Sequence, residues 1–164
     1  GKFYVNDKNF PIVPSTLAGI VRLLDEYGIT DLKGKNLVVV GQGKLVGKPA
    51  ASYFNRKDDK DATVINPCSH TEDKKLYKRA RFIISGAGAP GIIRGDMVRN
   101  GVIVVDAGTK TDPETGKIHG DVDFESVEPK ASYITPVPGG VGPMTVAMIF
   151  YNLVQLEKQR LQMK

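Results

Sequence analysis

The chain has 164 residues, 41% of them apolar, with 18 glycines and one cysteine. That length supports one domain and one hydrophobic core, and the lone Cys68 excludes an intrachain disulfide and a four-thiolate zinc centre. The net charge is +5, from 23 basic and 18 acidic side chains. No basic stripe interleaved with aromatics points to nucleic acid, no run of 18 apolar residues points to a membrane, and nothing resembles a signal peptide. The expectation is a cytoplasmic protein.

Pro11 and Pro14 keep the first residues irregular, and residues 1–16 read as a linker into a domain over 17–164. Gly1 is not an initiator methionine, so a fragment or processed product is expected. Ser15 or Thr16 is placed to cap a helix beginning near Leu17. Leu17, Ile20, Val21, Leu23 and Leu24 form its apolar stripe, and Gly28 ends it. The run LVVV at 37–40 reads as a buried strand, and the glycine turn over 41–47 leads into a helix predicted over 49–55. The charged stretch 56–61 is a solvated loop, 62–65 a second strand, and 71–79 a short polar helix.

A third strand over 82–85 runs into GAGAPG at 86–91, then a short helix or turn over 92–99. The almost uniformly apolar VIVVDAG, 102–108, fits a central parallel strand. Residues 109–120 are a polar excursion with a hairpin tip at 113–116, and 132–135 a last short strand. A helix over 144–161 closes the chain, with Val146, Ile149, Phe150, Leu153, Val154 and Leu156 on a broad apolar face. Strands alternating with helices predict an α/β fold: a Rossmann-like domain, a mostly parallel sheet with helices on both faces.

The segment LVVVGQGKLVGKP, 37–49, organises the rest. Strand, glycine turn and helix N-terminus together hold a phosphate: Gly41 and Gly43 permit close approach, and backbone N–H groups at the helix start face the anion. The third glycine comes one residue late, at Gly47, with Val46 in its usual place. An ordinary strand-to-helix turn is the alternative. Ser69, His70 and Thr71 follow the second strand, where such folds read the ribose. No acid occurs from Asn66 until Glu72, and Ser69, His70 and Lys74 are suited to a 2′-phosphate, which favours NADP over NAD; a polar loop without contacts is equally compatible. The loop 86–90, including Ala87, Gly88 and Pro90, suits the nicotinamide side. Cys68 lacks the ordered partners of a nucleophile, and no spaced set of His and acids suits a metal. Asp121 and Asp123 have the spacing of paired carboxylates, but two acids in a turn read as solvated.

Several motifs together resemble the bifunctional methylenetetrahydrofolate dehydrogenase/cyclohydrolase family. VVVGQGKLVGKP is similar to its V-x-G-R-S-x-x-V-G-x-P segment, PGGVGPMT at 138–145 to its most distinctive signature, and PSTLAG at 14–19 to its P-C-T-P-x-G segment. VIVVDAG and GDVDF, 120–124, resemble two further stretches, in the family's order. The resemblance implies the C-terminal, NAD(P)-binding domain. The family's N-terminal domain, with its catalytic lysine in a Y-x-x-x-K helix, has no counterpart here; Tyr27 is followed by Asp31 at the fourth position.

Carried onto this sequence, the resemblance implies cofactor contacts at Gly41, Gln42, Gly43, Lys44, Val46, Gly47, Ser69, His70, Thr71, Ala87, Gly88, Pro90, Thr109 and Thr145. Pro138, Gly139, Gly140 and Val141 would face the folate. It also implies tetrahydrofolate substrates, NADP, and a homodimer. Gln42 stands at the usual arginine, Gly43 at a serine, Pro67 and Cys68 at a cysteine and a histidine, and Thr109 at an isoleucine. The alternative is a catalytically inactive nucleotide-binding or dimerisation module.

Overall fold

A computed structural model describes residues 12–29, 36–56, 62–65 and 74–162. Its elements in chain order are α1 (Ser15–Glu26), β1 (Leu37–Val40), α2 (Gly47–Arg56), β2 (Ala62–Ile65), α3 (Lys74–Arg79) and β3 (Phe82–Ser85). There follow β4 (Val102–Asp106), β5 (Lys110–Thr111), β6 (Ile118–His119), α4 (Phe124–Val127), a 3-10 turn (Glu128–Lys130), β7 (Ala131–Ile134) and α5 (Val141–Gln162).

Five strands form one sheet in the order β2-β1-β3-β4-β7, every neighbouring pair parallel. The run of valines in β1 serves both faces. Leu37 and Val39 join Phe82, Ile84 and Val105 under α1 and α2, while Val38 and Val40 join Ile83, Val102 and Val104 under Tyr77 of α3 and Val127 of α4. Alternate residues thus meet opposite layers, so a strand covered on both sides shows no polar alternation. The Rossmann-like architecture expected from the sequence is the one observed.

Helix boundaries follow local chemistry. α1 ends as the sequence predicts: Gly28 has φ +68°, its N–H donates to the Asp25 carbonyl, and the Ile29 N–H reaches back to Leu24 at 2.7 Å. That is a glycine-terminated Schellman ending. At the other end no side-chain cap forms. Pro14 precedes the helix, its carbonyl accepts from Ala18 N–H at 2.9 Å, and Ser15 and Thr16 lie inside the first turn. α2 and α5 both begin earlier than predicted, at Gly47 rather than 49 and at Val141 rather than 144. In each case a proline, Pro49 or Pro143, occupies the third helical position, where the missing N–H costs no intrahelical bond.

Residues 92–99 take the turn rather than the helix, with Ile93 bridging Val122. β4 stops at Asp106, and β5 and β6 form the expected small hairpin. α4 and its 3-10 extension, over 124–130, are elements the sequence reading does not predict; four residues are too few to show a period. α5 lies along α1, where Gly19 permits the approach: a Cβ there would stand 3.1 Å from that of Met144. Asn152 donates to the Val13 carbonyl at 2.9 Å and to Ser15 Oγ at 3.2 Å. The apolar face predicted for this helix is largely bare, with Phe150 65% and Leu153 62% exposed. Among the described residues no helix is long and apolar enough to cross a membrane.

Candidate functional site

The strand order places a topological switch at β1, since β2 lies on one side of it and β3 on the other. In open parallel sheets the crevice at such a point, beyond the carboxyl ends of the strands, is where ligands bind. Here it is bordered by the loops after β1 and β3.

Those loops meet through main chain. The Gly86 N–H donates to the Val40 carbonyl at 2.9 Å. Gly41 has φ +103°, and a Cβ on it would lie 2.7 Å from the Gly86 carbonyl oxygen. A Cβ on Gly47 would run into the Gly41 carbonyl, and one on Gly86 would sit 2.6 Å from Val46 Cγ1. The late third glycine therefore does the work of close helix-to-turn packing, with Val46 buried as the filler beside it. Gly43 differs: a Cβ there meets nothing nearer than 3.9 Å, so the turn accepts a side chain at that position. Gln42, Gly43 and Lys44 are exposed at the mouth of the turn. The cradle fits a pyrophosphate, whose oxygens require close approach to backbone and a helix start.

Two buried carboxylates lie behind the loops. Asp121 is 1% exposed and accepts three hydrogen bonds: from Ser85 Oγ at 2.6 Å, Ala87 N–H at 2.7 Å and Ala89 N–H at 2.7 Å. Asp106, 2% exposed, accepts from Gly108 N–H and Val122 N–H, each at 2.9 Å. Each acid occupies space a glycine leaves: a Cβ on Gly108 would overlap the Asp121 carboxyl, and one on Gly120 would overlap that of Asp106. Burial pushes Asp106 up to about 6, with the nearby Asp121 charge adding to the rise and backbone hydrogen bonds opposing it. The sequence expectation of a solvated Asp121 is corrected by this arrangement, and Asp106 was not singled out as a site residue. The available signal was the pair of glycines, Gly108 and Gly120, each beside or near an acid.

A cavity of about 430 Å³ opens over the ends of β4 and β7. It brings together Val46, Thr109, Pro138, Gly139, Gly140, Val141 and Thr145 from the sequence-derived set, with Asp106 in its wall. The loop before α5 is folded tightly, with Gly140 N–H on the Pro136 carbonyl at 2.9 Å, and a Cβ on Gly140 would stand 2.6 Å from that oxygen. Thr145 directs its hydroxyl proton back to the Val141 carbonyl at 3.0 Å, so its oxygen, not its proton, is offered to the cavity. Ala87 is half-buried; Gly88 and Pro90 are exposed on the neighbouring loop after β3 rather than in this cavity wall. Ser69, His70 and Thr71 lie outside the described residues, as do Pro67 and Cys68. Among the described residues no group of His, Cys, Asp or Glu is arranged to hold a metal ion.

A parallel sheet with a glycine cradle at its switch point and a cavity over the adjoining strand ends defines a dinucleotide-binding domain. The sequence model of the tetrahydrofolate dehydrogenase/cyclohydrolase NAD(P)-binding domain matches residues 14–161, and the chain belongs to that family. It is 48% identical over 162 residues to the bifunctional protein FolD of Hydrogenobaculum, an alignment covering 98% of this chain and 56% of that protein. The crystal structure of the bifunctional FolD methylenetetrahydrofolate dehydrogenase/cyclohydrolase from Campylobacter jejuni superposes with a TM-score of 0.85 at 44% identity, over 98% of this chain and 55% of that one. The Trypanosoma brucei methylenetetrahydrofolate dehydrogenase-cyclohydrolase, solved with NADP and an inhibitor, gives a TM-score of 0.87 at 34% identity, over 98% and 56%. The chain thus spans about half the length of the relatives it matches.

Proposed function

We propose that this chain is the cofactor-holding half of an enzyme that oxidises 5,10-methylenetetrahydrofolate to the methenyl form with NADP and hydrolyses the product to 10-formyltetrahydrofolate. The observation that carries the reading is the family match over residues 14–161, with the glycine cradle at the switch point supporting it. Bound NADP supplies hydride acceptance; the residues of this chain bind and orient.

In this reading Gly41, Gly43, Val46 and Gly47 cradle the pyrophosphate, with Gln42 and Lys44 at its rim. Ser69, His70 and Thr71 take the ribose and its 2′-phosphate. Ala87, Gly88, Pro90, Thr109 and Thr145 border the nicotinamide half. Pro138, Gly139, Gly140 and Val141 face the folate, whose catalytic lysine belongs to the other half of the relatives' length. The domain begins at about residue 17, and the working protein is a cytoplasmic homodimer.

Calorimetric titration of the chain with NADP and, separately, NAD tests this. Saturable NADP binding, with NAD weaker, is expected, and no folate-dependent turnover by the 164-residue chain alone. Gln42, at the family's usual arginine, favours the inactive-module reading, because a neutral donor holds a phosphate less strongly than a charged one. Absence of heat with either nucleotide, with an unchanged melting temperature, would overturn the reading of this chain as a cofactor domain that works alone, leaving either a site completed by the other half of the relatives' length or the non-enzymatic dimerisation module.

A further inference from the structure

We infer that Asp121 is a positioning residue for the nicotinamide half of the dinucleotide, acting through the loop after β3; this rests on the functional reading above. Three donors converge on the carboxylate, and all come from one short stretch. Ser85 is the last residue of β3, and Ala87 and Ala89 are alternate residues of the loop that follows. Both N–H groups of the loop are turned inward to the acid. Gly88, between them, has φ +69° and stands exposed at the crest.

The acid does not reach the ligand side itself. It is 1% exposed, backed by Gly108 on the loop after β4, which has no side chain to contest the space. The two loops that flank the nicotinamide side of the switch point are therefore registered against one carboxylate. The geometry of the fold separates the ligand's halves: the loop after β1 takes the pyrophosphate and the end of β2 the adenosine ribose. The loops after β3 and β4 lie on the other side of β1, where the nicotinamide riboside must go. Only a carboxylate answers all three donors, since it accepts at both oxygens; an asparagine at the same place turns an NH2 toward one of them. Loss of Asp121 should therefore loosen the nicotinamide side and leave the adenosine side as it was.

The test compares two ligands on the chain and on its Asp121→Asn form: NADP, and adenosine 2′,5′-bisphosphate, which carries the adenosine and 2′-phosphate but no nicotinamide. Titrations run at a temperature where circular dichroism shows both proteins folded. The expected result is at least tenfold weaker NADP binding with the bisphosphate within twofold of its original affinity. Equal losses for both ligands, or an NADP loss under twofold, overturn the inference. Should Asp121→Asn not fold, Ser85→Ala keeps the acid and its two backbone donors. It should weaken NADP about threefold and leave the bisphosphate unchanged, and a loss shared by both ligands or absent for both overturns the inference equally. If the unsubstituted chain binds neither ligand, the functional reading itself falls and takes this inference with it; if it binds both but the variants do not discriminate, only the inference falls.

Discussion

Two glycines of the same turn, four residues apart, should respond in opposite ways to alanine. At Gly47 the new methyl overlaps the Gly41 carbonyl and lies 2.9 Å from Gln42 N, all backbone. No side chain can rotate away, so α2 must lift from the turn, carrying with it Val46 and Ala50, both buried against β1. Overpacking of this kind costs roughly 1–3 kcal/mol when side chains absorb it. With main chain as the obstacle the upper end applies, so about 3 kcal/mol or more is expected even after the modest gain in helix propensity, up to about 1 kcal/mol. For a domain of this size that lowers the melting temperature by about 6–12 °C. At Gly43 the methyl finds 3.9 Å of clearance and φ is not left-handed. Reduced freedom of the unfolded chain should then stabilise by about 0.4–1 kcal/mol. Urea unfolding followed by far-ultraviolet circular dichroism suits the comparison, since the chain has no tryptophan. A Gly47→Ala protein within 1 kcal/mol of the parent, or a Gly43→Ala protein as unstable as it, would refute the packing argument.

Further predictions concern other parts of the fold. Asp106 has a native pKa of about 6 against an ordinary 3.8, so the folded state binds more protons than the unfolded state between those values. Its contribution to stability is therefore greatest below pH 4 and falls as pH rises to 6, by roughly 3 kcal/mol. Replacing it by asparagine should remove that slope from the stability–pH curve, while adding a constant cost because an NH2 now faces the Gly108 or Val122 N–H; an unchanged slope contradicts the assignment. Asn152→Ala, which breaks the bonds to Val13 and Ser15, should cost about 1–2 kcal/mol and speed amide exchange in α1 ahead of β1 and β3. Phe150→Lys should leave the melting temperature within 2 °C, as expected for an exposed site, and reduce binding of an apolar fluorescent dye, because that ring is 65% exposed. A large drop in melting temperature would show instead that the ring is packed.

The sequence made the sheet legible because β1, β3 and β4 are short apolar runs ended by glycine or a polar residue, and a strand covered twice must read that way. The starts of α2 and α5 lie ahead of the sequence expectation for a single reason: Pro49 and Pro143 read as boundaries, whereas proline is equally at home within a first turn. The glycine cradle was visible as a pattern, but the division of labour within it was not. That Gly41 and Gly47 are indispensable and Gly43 is open depends on which atoms lie opposite, which comes from the tertiary fold. Asp106 and Asp121 were the main omission. Asp121, in a polar, glycine-rich stretch, reads as solvated, and Asp106, at the end of the apolar β4 run, carries no sign of its partners; only the return of residues 120–122 against β3 and β4 brings the two carboxylates to their donors. α5 shows the converse, since its apolar residues announce a face without saying what lies against it.

The contact of backbone with backbone among Gly41, Gly47 and Gly86 has a consequence for how affinity is tuned. A loop whose neighbours are main chain has no rotamers to freeze when a ligand arrives, and each immobilised flexible side chain would otherwise cost about 0.5–1.5 kcal/mol. The anion therefore meets a surface organised during folding, and the same contacts leave that surface no gradual route to change. The positions left open to a change of side chain are the outward ones, among them Gln42, the open Gly43 and Lys44. The turn behaves as a fixed socket with an interchangeable rim, in which the strength of the grip on the pyrophosphate can drift without disturbing the frame that holds it.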